Sequence, residues 1–138
     1  MMFEKALNIA LKAHNGQTDK AGKPYILHPI RVSLRCCTDN ERIVALLHDV
    51  IEDTAITTDN LYSAGFSKTI VDAILSVTKR KGENYSDFIE RCSLNPIGRV
   101  VKIHDIEDNM DITRLDSLTE DDVKRLNKYI KAYKYLTK

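Results

Sequence analysis

The sequence is poor in residues that interrupt or cross-link a chain, with 5 Gly, 3 Pro, 3 Cys and no Trp among 138 residues. So few glycines and prolines exclude collagen-like and low-complexity chains. Cys36 and Cys37 are adjacent, and neither they nor Cys92 show the CxxC or CxxH spacing of a zinc site. A disulfide scaffold is therefore excluded, and the cysteines are interpreted as small packing residues in a reducing compartment.

The chain also lacks an excess of one charge and a long hydrophobic run. Its net charge is only +1, which gives no strong field to attract DNA or RNA. No stretch approaches the roughly 18 apolar residues of a membrane-spanning helix, and charged residues within 3–14 exclude a signal-peptide core. These absences predict a cytoplasmic protein that binds neither nucleic acid nor membrane.

Apolar residues recur every three or four positions along almost the whole chain, and this spacing predicts an all-α fold. The length fits one domain, residues 1–138, built as a bundle of about six to eight helices. Asp39 or Asn40 is expected to cap the third helix, and Leu126, Ile130 and Tyr133 to face the core from the last one. The predicted helices cover about 3–14, 29–37, 41–51, 58–64, 67–77, 85–92 and 95–111, with a last one after Thr119.

Four ionisable residues, His48, Asp49, Glu52 and Asp53, follow the apolar run 43–47 at the end of the third predicted helix. Such groups are costly to bury without partners. If the helix continues, His48 shares a face with Glu52, and Asp49 shares a face with Asp53. One interpretation is a helix end with solvated acids. The other is a site for a divalent ion such as Mn²⁺, which accepts mixed nitrogen and oxygen ligands.

Two further residues could complete an ion site. His28 follows a stretch, 17–27, that contains Gly22 and Pro24 and has no periodicity, so an ordered loop is expected to deliver it to the next helix. Asp105 lies in an otherwise apolar helical segment. Taken alone, each of these residues is more often a hydrogen-bonded structural residue than a metal ligand.

Several segments together resemble, in order, the hydrolase domain of RelA/SpoT homologues, HD-superfamily enzymes that remove the 3′-pyrophosphate of (p)ppGpp. The resemblance extends from the first helix to about Leu115 and implies an all-α HD-domain fold. It also implies a stand-alone small alarmone hydrolase of the stringent response, with a nucleotide substrate, and we expect a monomer or homodimer. The matching segments are GQ at 16–17, KAGKPYILHP at 20–29, LLHDVIEDT at 46–54, and VKIHD at 101–105 with Asn109 and Met110.

The resemblance also implies roles for individual residues. Glu52 and Asp53 are implied as the catalytic acid pair, with Glu52 favoured to orient the attacking water and take its proton. Four residues are implied as ligands of one Mn²⁺: His28, His48, Asp49 and Asp105. Three residues are implied for substrate binding: Lys20, Tyr25 and Asn109.

Two departures from the family pattern concern the substrate. Asp19 precedes Lys20 where the family usually has an arginine, which it uses around the guanine base. Residues 111–115 follow Met110 where the family typically continues Arg-Thr-Leu. An HD-domain hydrolase of a different nucleotide or phosphate ester is therefore an alternative, and so is a non-catalytic nucleotide-binding module. The near-neutral charge disfavours a helix-turn-helix DNA binder.

Other polar residues near these segments are interpreted as structural or solvated. His104 directly precedes Asp105, and one step along a helix turns a side chain by about 100°, so His104 is not expected to bind the same ion. His14 is interpreted as a helix-terminal or packing histidine. Three acids are interpreted as a solvated helix face: Glu107, Asp108 and Asp111.

Overall fold

The computed structural model describes residues 2–138, and these form nine α-helices and one 3₁₀ helix with no β-strand. The all-α prediction is confirmed. The helices are α1 Met2–Ala13, α2 Leu27–Arg35, α3 Asp39–Leu47, α4 Val50–Asp53, α5 Thr58–Ser63, α6 Lys68–Ser76, α7 Tyr85–Ser93, α8 Pro96–Asn109 and α9 Glu120–Leu136, and the 3₁₀ helix is Ile112–Arg114.

The helix α3 lies at the centre of the fold. Its residues 43–47 are all buried, and it packs against α1, α2, α6 and α8. A helix that is apolar on every side is stable only when neighbours surround it, which explains this position. Polar residues at its C-terminal end therefore project into the interior of the protein.

The start of α3 differs from the prediction. The hydroxyl of Thr38 accepts a hydrogen bond from the Glu41 backbone N–H at 3.2 Å, and the Glu41 carboxylate accepts one from the Thr38 N–H at 3.3 Å. This reciprocal pair is a capping box, which satisfies two helix N–H groups at once. The predicted cap at Asp39 or Asn40 is wrong because Thr38 supplies the hydroxyl and the spacing to Glu41.

The segment predicted as one helix over 41–51 forms two. The helix α3 ends at Leu47, and α4 begins at Val50 after a turn at His48 and Asp49. In a continuous helix, adjacent side chains point about 100° apart. The break allows the side chains of His48 and Asp49 to approach each other, with His48 Nε2 3.1 Å from Asp49 Oδ2.

The loop before α2 is ordered by its own hydrogen bonds, as predicted. Asp19 Oδ1 accepts from the backbone N–H groups of Ala21 and Lys23, both at 2.9 Å, and the Asp19 N–H donates to the Lys23 carbonyl at 2.8 Å. Gly22 has φ +78°, a left-handed conformation that favours glycine in this tight turn. The loop therefore leads the chain to His28, in the first turn of α2.

The helix α9 covers α7 and α8 through Ala132 and Leu136, which are buried. The prediction that Ile130 faces the core is wrong, because 45% of this residue is exposed; Tyr129 contributes to the packed face instead. Across residues 2–138, no helix is both long and apolar enough to span a bilayer.

Candidate metal and active site

Two imidazoles and two carboxylates meet where the C-terminal end of α3 approaches α2 and α8. Only 5% of His28, 1% of His48 and 4% of Asp105 is exposed, and 16% of the Asp49 side chain is. Charged groups buried to this degree are strongly unfavourable unless they compensate one another. The four predicted ligands therefore form one cluster, in which the charged groups are close enough to compensate one another.

Both imidazoles direct Nε2 at the same carboxylates. His28 Nε2 is 2.8 Å from Asp105 Oδ1 and 3.9 Å from Asp49 Oδ2. His48 Nε2 is 3.1 Å from Asp49 Oδ2 and 3.3 Å from Asp105 Oδ1. The nitrogen and oxygen atoms that a cation would use thus converge on a small volume.

Each member of the cluster is also held by a group outside it. The Nδ1 atoms of His28 and His48 lie 2.7 Å from Asp108 Oδ2 and 2.5 Å from the Ala45 carbonyl, respectively. Lys102 Nζ donates to Asp105 Oδ2 at 2.7 Å, which leaves Oδ1 facing the imidazoles. The Tyr25 hydroxyl donates to Asp49 Oδ2. These contacts restrict the orientation of all four side chains.

The titration behaviour of the cluster follows from this geometry. Burial opposes a positive charge on the imidazoles, but the neighbouring carboxylates outweigh it and raise the pKa of His28 and of His48. Burial likewise opposes ionisation of Asp105, but the Lys102 ammonium outweighs it and holds the pKa of that carboxyl low. Protons on Nε2 thus neutralise the carboxylates, and a cation could replace them.

The donors fit a divalent cation. Donor atoms of His28, His48 and Asp49 all lie within 4.8 Å of one another, and His48 Nε2 is buried without a hydrogen bond. Ligands at right angles on an ion with bonds of about 2.1 Å are about 3 Å apart, close to the nitrogen–oxygen distances of 2.8–3.3 Å found here. The described residues therefore contain a possible His/Asp metal site.

The two predicted catalytic acids lie beside this cluster, on α4, and both are exposed. Glu52 Oε1 accepts a hydrogen bond from the Lys79 backbone N–H at 2.8 Å, which ties it to the segment after α6. Partial burial and the negative charges of Asp49 and Glu52 raise the pKa of Asp53 to about 6. A carboxyl group that titrates near neutral pH is suited to proton transfer.

A cavity of about 310 Å³ opens next to the cluster, and His28 lines it. The three predicted substrate-binding residues line it as well, although the Tyr25 hydroxyl is already bonded to Asp49. Leu115 and Leu126 supply apolar surface. The charged groups in this wall are Asp19, Lys20, Asp111, Arg114, Asp122 and Arg125.

A second cavity of about 250 Å³ is lined by Asp49 and Glu52. Three lysines also line it: Lys79, Lys102 and Lys128. Burial and the positive charge of Lys102 lower the pKa of Lys128, and the three lysines outnumber the two acids in this lining. Asn109 and Tyr129 line both cavities, so the cluster lies between a partly apolar cavity and a cationic one.

The interpretation of Asp108 as a solvated residue is wrong, because none of it is exposed. Its carboxylate contacts His28 and accepts from Arg31 Nε at 2.8 Å and Arg31 Nη2 at 3.1 Å. The spacing from Asp105 to Asp108 was the available signal, because residues three apart share a helix face. His104 pairs with Glu107 at 2.6 Å, in agreement with its interpretation as structural.

Sequence reasoning also assigned no site role to four cavity residues on α9: Asp122, Arg125, Lys128 and Tyr129. Their spacing of three and four positions places them on one face of the helix. The sequence alone did not show that this face covers the cavities.

Known proteins similar to this chain agree with its fold and motifs. The chain is 32% identical over 120 residues to the guanosine-3′,5′-bis(diphosphate) 3′-pyrophosphohydrolase of Aquifex aeolicus, covering 78% of this chain and 17% of that protein. It is 39% identical over 87 residues to a probable enzyme of the same name from Mycoplasma pneumoniae, covering 60% of this chain and 12% of that protein. The resemblance to the RelA/SpoT homologues is confirmed. No protein-family model matches the chain.

The fold agrees with this resemblance. A solved structure of a metazoan orthologue of SpoT that hydrolyses ppGpp superposes with a TM-score of 0.80, over 98% of this chain and 84% of that one. Because the two are 22% identical, this similarity shows the fold alone. The chain spans 12–17% of the length of the two RelA/SpoT relatives named above.

Proposed function

We propose that the chain is a metal-dependent phosphohydrolase that removes pyrophosphate from the 3′ position of ppGpp. The main observation behind this proposal is the buried cluster of two imidazoles and two carboxylates, which lies between a partly apolar cavity and one lined by lysines. The similarity to 3′-pyrophosphohydrolases supports this substrate. We further propose that residues 1–138 act as one HD-type domain, as a monomer or homodimer in the cytoplasm.

In this proposal the cluster holds one divalent ion, and Mn²⁺ is the first choice because it accepts both imidazole and carboxylate ligands. The ligands are His28, His48, Asp49 and Asp105. A bound ion of this kind lowers the pKa of water and polarises a phosphoryl oxygen. The protein contributes the fixed orientation of the donors, through Tyr25, Lys102 and the carbonyl of Ala45.

Glu52 is the proposed general base. It is exposed at the second cavity, and the hydrogen bond from the Lys79 N–H orients its carboxylate. Glu52 would orient the attacking water and take its proton as the new bond to phosphorus forms, while the bond from that phosphorus to the 3′ oxygen breaks and the 3′ oxygen leaves as a hydroxyl after gaining a proton. Asp53, with a pKa of about 6, assists by exchanging a proton near neutral pH.

The two cavities suit the two parts of such a substrate. The first cavity has apolar surface for a nucleoside, and Lys20, Tyr25 and Asn109 are its proposed contacts. In the second cavity, Lys79 and Lys128 supply positive charge that favours a pyrophosphate group, while the Lys102 ammonium is paired with Asp105. The scissile bond would then lie near Asn109 and Tyr129, the residues that both cavities share.

The test is release of pyrophosphate by the purified protein with Mn²⁺, using ppGpp, pppGpp, other 3′-phosphorylated nucleotides and ordinary nucleoside triphosphates. We expect pyrophosphate from ppGpp, and its loss in His48→Ala and Glu52→Ala. The matched control is Glu90→Gln, an exposed acid on α7 that lines neither cavity. If the protein binds Mn²⁺ but hydrolyses none of these substrates, the result would contradict the proposal and favour a nucleotide-binding module.

A second candidate function is hydrolysis of a different nucleotide, and Asp19 favours it. Asp19 lines the first cavity with its Oδ2 atom 3.7 Å from Arg114 Nη1, so an acidic group lies where the family usually has an arginine. Activity confined to a nucleotide without guanine in the same panel would select this candidate while leaving the metal site intact.

A further inference from the structure

Asp108 is the most completely buried acid of the described residues and lies outside the predicted site. It is on α8, one turn after Asp105, and its carboxylate contacts α2. A buried carboxylate is unfavourable unless its oxygens are paired. The groups that pair with its oxygens therefore indicate the role of Asp108.

Arginines surround this carboxylate. Arg31 donates to both oxygens, at 2.8 Å and 3.1 Å, while Arg35 Nη2 is 3.9 Å from Oδ1 and Arg114 Nη2 is 3.8 Å from Oδ2. Arginine can only donate hydrogen bonds, so both oxygens of Asp108 act as acceptors in the two contacts with Arg31.

The same carboxylate contacts His28, whose Nδ1 lies 2.7 Å from Asp108 Oδ2. Because Asp108 can only accept, the short contact requires a proton on Nδ1. A cation that replaces the Nε2 proton would leave the one remaining proton of the imidazole on Nδ1 and would bind the lone pair of Nε2. Nε2 is the atom that faces Asp105 and Asp49.

From this geometry we infer that Asp108 is a positioning residue for the metal centre: it holds the proton of His28 on Nδ1 and aims Nε2 at the cation. This inference rests on the metal site of the proposed function. It adds a carboxylate–histidine pair behind one ligand, an arrangement that fixes ring orientation and increases the basicity of the ligand. Asp108 does not itself contact the cation or the substrate.

The test measures cation binding without nucleotide, by titrating metal-free protein with Mn²⁺. Loss of a carboxylate behind a histidine ligand typically weakens metal affinity by about 10- to 100-fold, and we expect this range for Asp108→Ala. The control is Glu107→Gln, which changes the adjacent acid that pairs with His104, and it is expected to stay within about threefold of the unmodified protein.

A spectroscopic measurement on the unmodified protein keeps the inference testable if Asp108→Ala does not fold. In protein labelled with ¹⁵N and loaded with diamagnetic Zn²⁺, His28 should show a hydrogen-bonded proton on Nδ1 and no proton on Nε2. A proton on Nε2 in the loaded protein would overturn the inference, as would a folded Asp108→Ala with unchanged Mn²⁺ affinity. Either result leaves the proposed hydrolysis standing, whereas failure of the unmodified protein to bind Mn²⁺ or Zn²⁺ would remove the metal site and this inference together.

Discussion

The metal cluster and the wall of the first cavity are both polar, but they are built differently. The side chains of the four proposed ligands are 2% to 16% exposed, and each is fixed from behind by a separate group. In the wall, the Arg114 side chain is 30% exposed and that of Asp19 is 13% exposed, and their charged atoms are 3.7 Å apart. The proposed metal site is thus a buried network of short contacts, whereas the cavity wall contains a longer, partly exposed charged pair.

This difference indicates which substitutions should preserve the proposed hydrolysis. A substitution in the cluster leaves a buried charge without its partner, and the cost is several kcal/mol. A substitution in the wall leaves groups that water can still reach, and surface pairs contribute only about 0–1 kcal/mol. Asp19 is 13% exposed, but its hydrogen bonds are to N–H groups of its own loop and it lies 3.7 Å from an arginine that is 30% exposed. We therefore expect a substitution at Asp19 to change substrate preference without disturbing the predicted metal and acid residues.

The largest expected effect is on kcat, and it distinguishes the catalytic step from metal binding. Glu52→Gln keeps an oxygen that can accept from the Lys79 N–H but removes the base, so kcat should fall by about 10²- to 10⁴-fold. The affinity for Mn²⁺, measured by titration calorimetry, should stay within about threefold because Glu52 is not a proposed ligand. A parallel loss of Mn²⁺ affinity would place Glu52 in the metal cluster instead.

Lys102→Met tests how strongly the cluster depends on the group behind Asp105. The methionine keeps an apolar stem near Phe88 but removes the ammonium that is 2.7 Å from Asp105 Oδ2. Removing one partner of a buried pair costs about 3–5 kcal/mol, and we expect the free energy of unfolding in EDTA to fall by about that amount. Urea denaturation measures it.

Two comparisons complete this experiment. Mn²⁺ should restore part of the lost stability, because a ligand that binds only the folded state stabilises it. Lys128→Met is the matched control, since its ammonium lies 4.4 Å from the centre of the Tyr85 ring and does not pair with Asp105. Equal losses in the two variants would show that the buried pair has no special role.

The sequence predicted the four residues of the proposed metal site but not the groups that support them. The ligands were predicted because their residue types and order match a known family over a short, specific segment. The break in the helix after Leu47 was not predicted, because neither glycine nor proline marks it. Packing of α3 against α2 and α8 explains why His48 and Asp49 both turn inward there. Asp108 was missed because its burial depends on Arg31, 77 positions away in the chain.

Two other differences between prediction and structure concern the start of α3 and the core face of α9. Thr38 and Glu41 have the S/T-x-x-E spacing of a capping box, which outweighs the isolated preference of Asp39 or Asn40 for a cap. For α9, the helical period left more than one possible core face. The contacts with α7 and α8 select the face of Ala132 and Leu136, and Ile130 is left exposed.

A smaller effect is expected in the wall of the first cavity. Asp19→Asn keeps an oxygen that can accept from the Ala21 and Lys23 N–H groups but removes a negative charge beside Arg114. A partly exposed charge contributes about 0.5–1 kcal/mol, so the KM for ppGpp should fall by about two- to fivefold, with kcat and Mn²⁺ affinity unchanged. Steady-state kinetics of Asp19→Asn and of Asp59→Asn, an exposed acid on α5, measure this difference.

A higher KM for Asp19→Asn would carry a different meaning. It would show that the carboxylate itself contacts the nucleotide, and the wall would then be as specifically built as the cluster. An equal change in Asp59→Asn would assign the effect to the overall charge of the protein.

The smallest effect concerns a charged pair outside both regions, which serves as a reference for them. Glu83 accepts from Arg91 Nε at 2.9 Å and from Nη2 at 2.8 Å, and these hydrogen bonds lower the pKa of Glu83 from 4.5 to about 2. Because the folded pKa is lower than the unfolded one, the stabilisation is complete above about pH 4.5 and is lost as the pH falls toward 2.

Glu83→Gln should therefore lower the free energy of unfolding by about 1 kcal/mol at pH 7 and have little effect near pH 2. Urea unfolding from pH 7 to pH 2 measures the difference, with Glu90→Gln on the exposed face of α7 as the control. A difference that persists at pH 2 would mean that Glu83 acts through packing around Arg91. Its disappearance would show a pair that depends on ionisation alone, whereas the loss expected for Lys102→Met exceeds it severalfold because Asp105 cannot reach water.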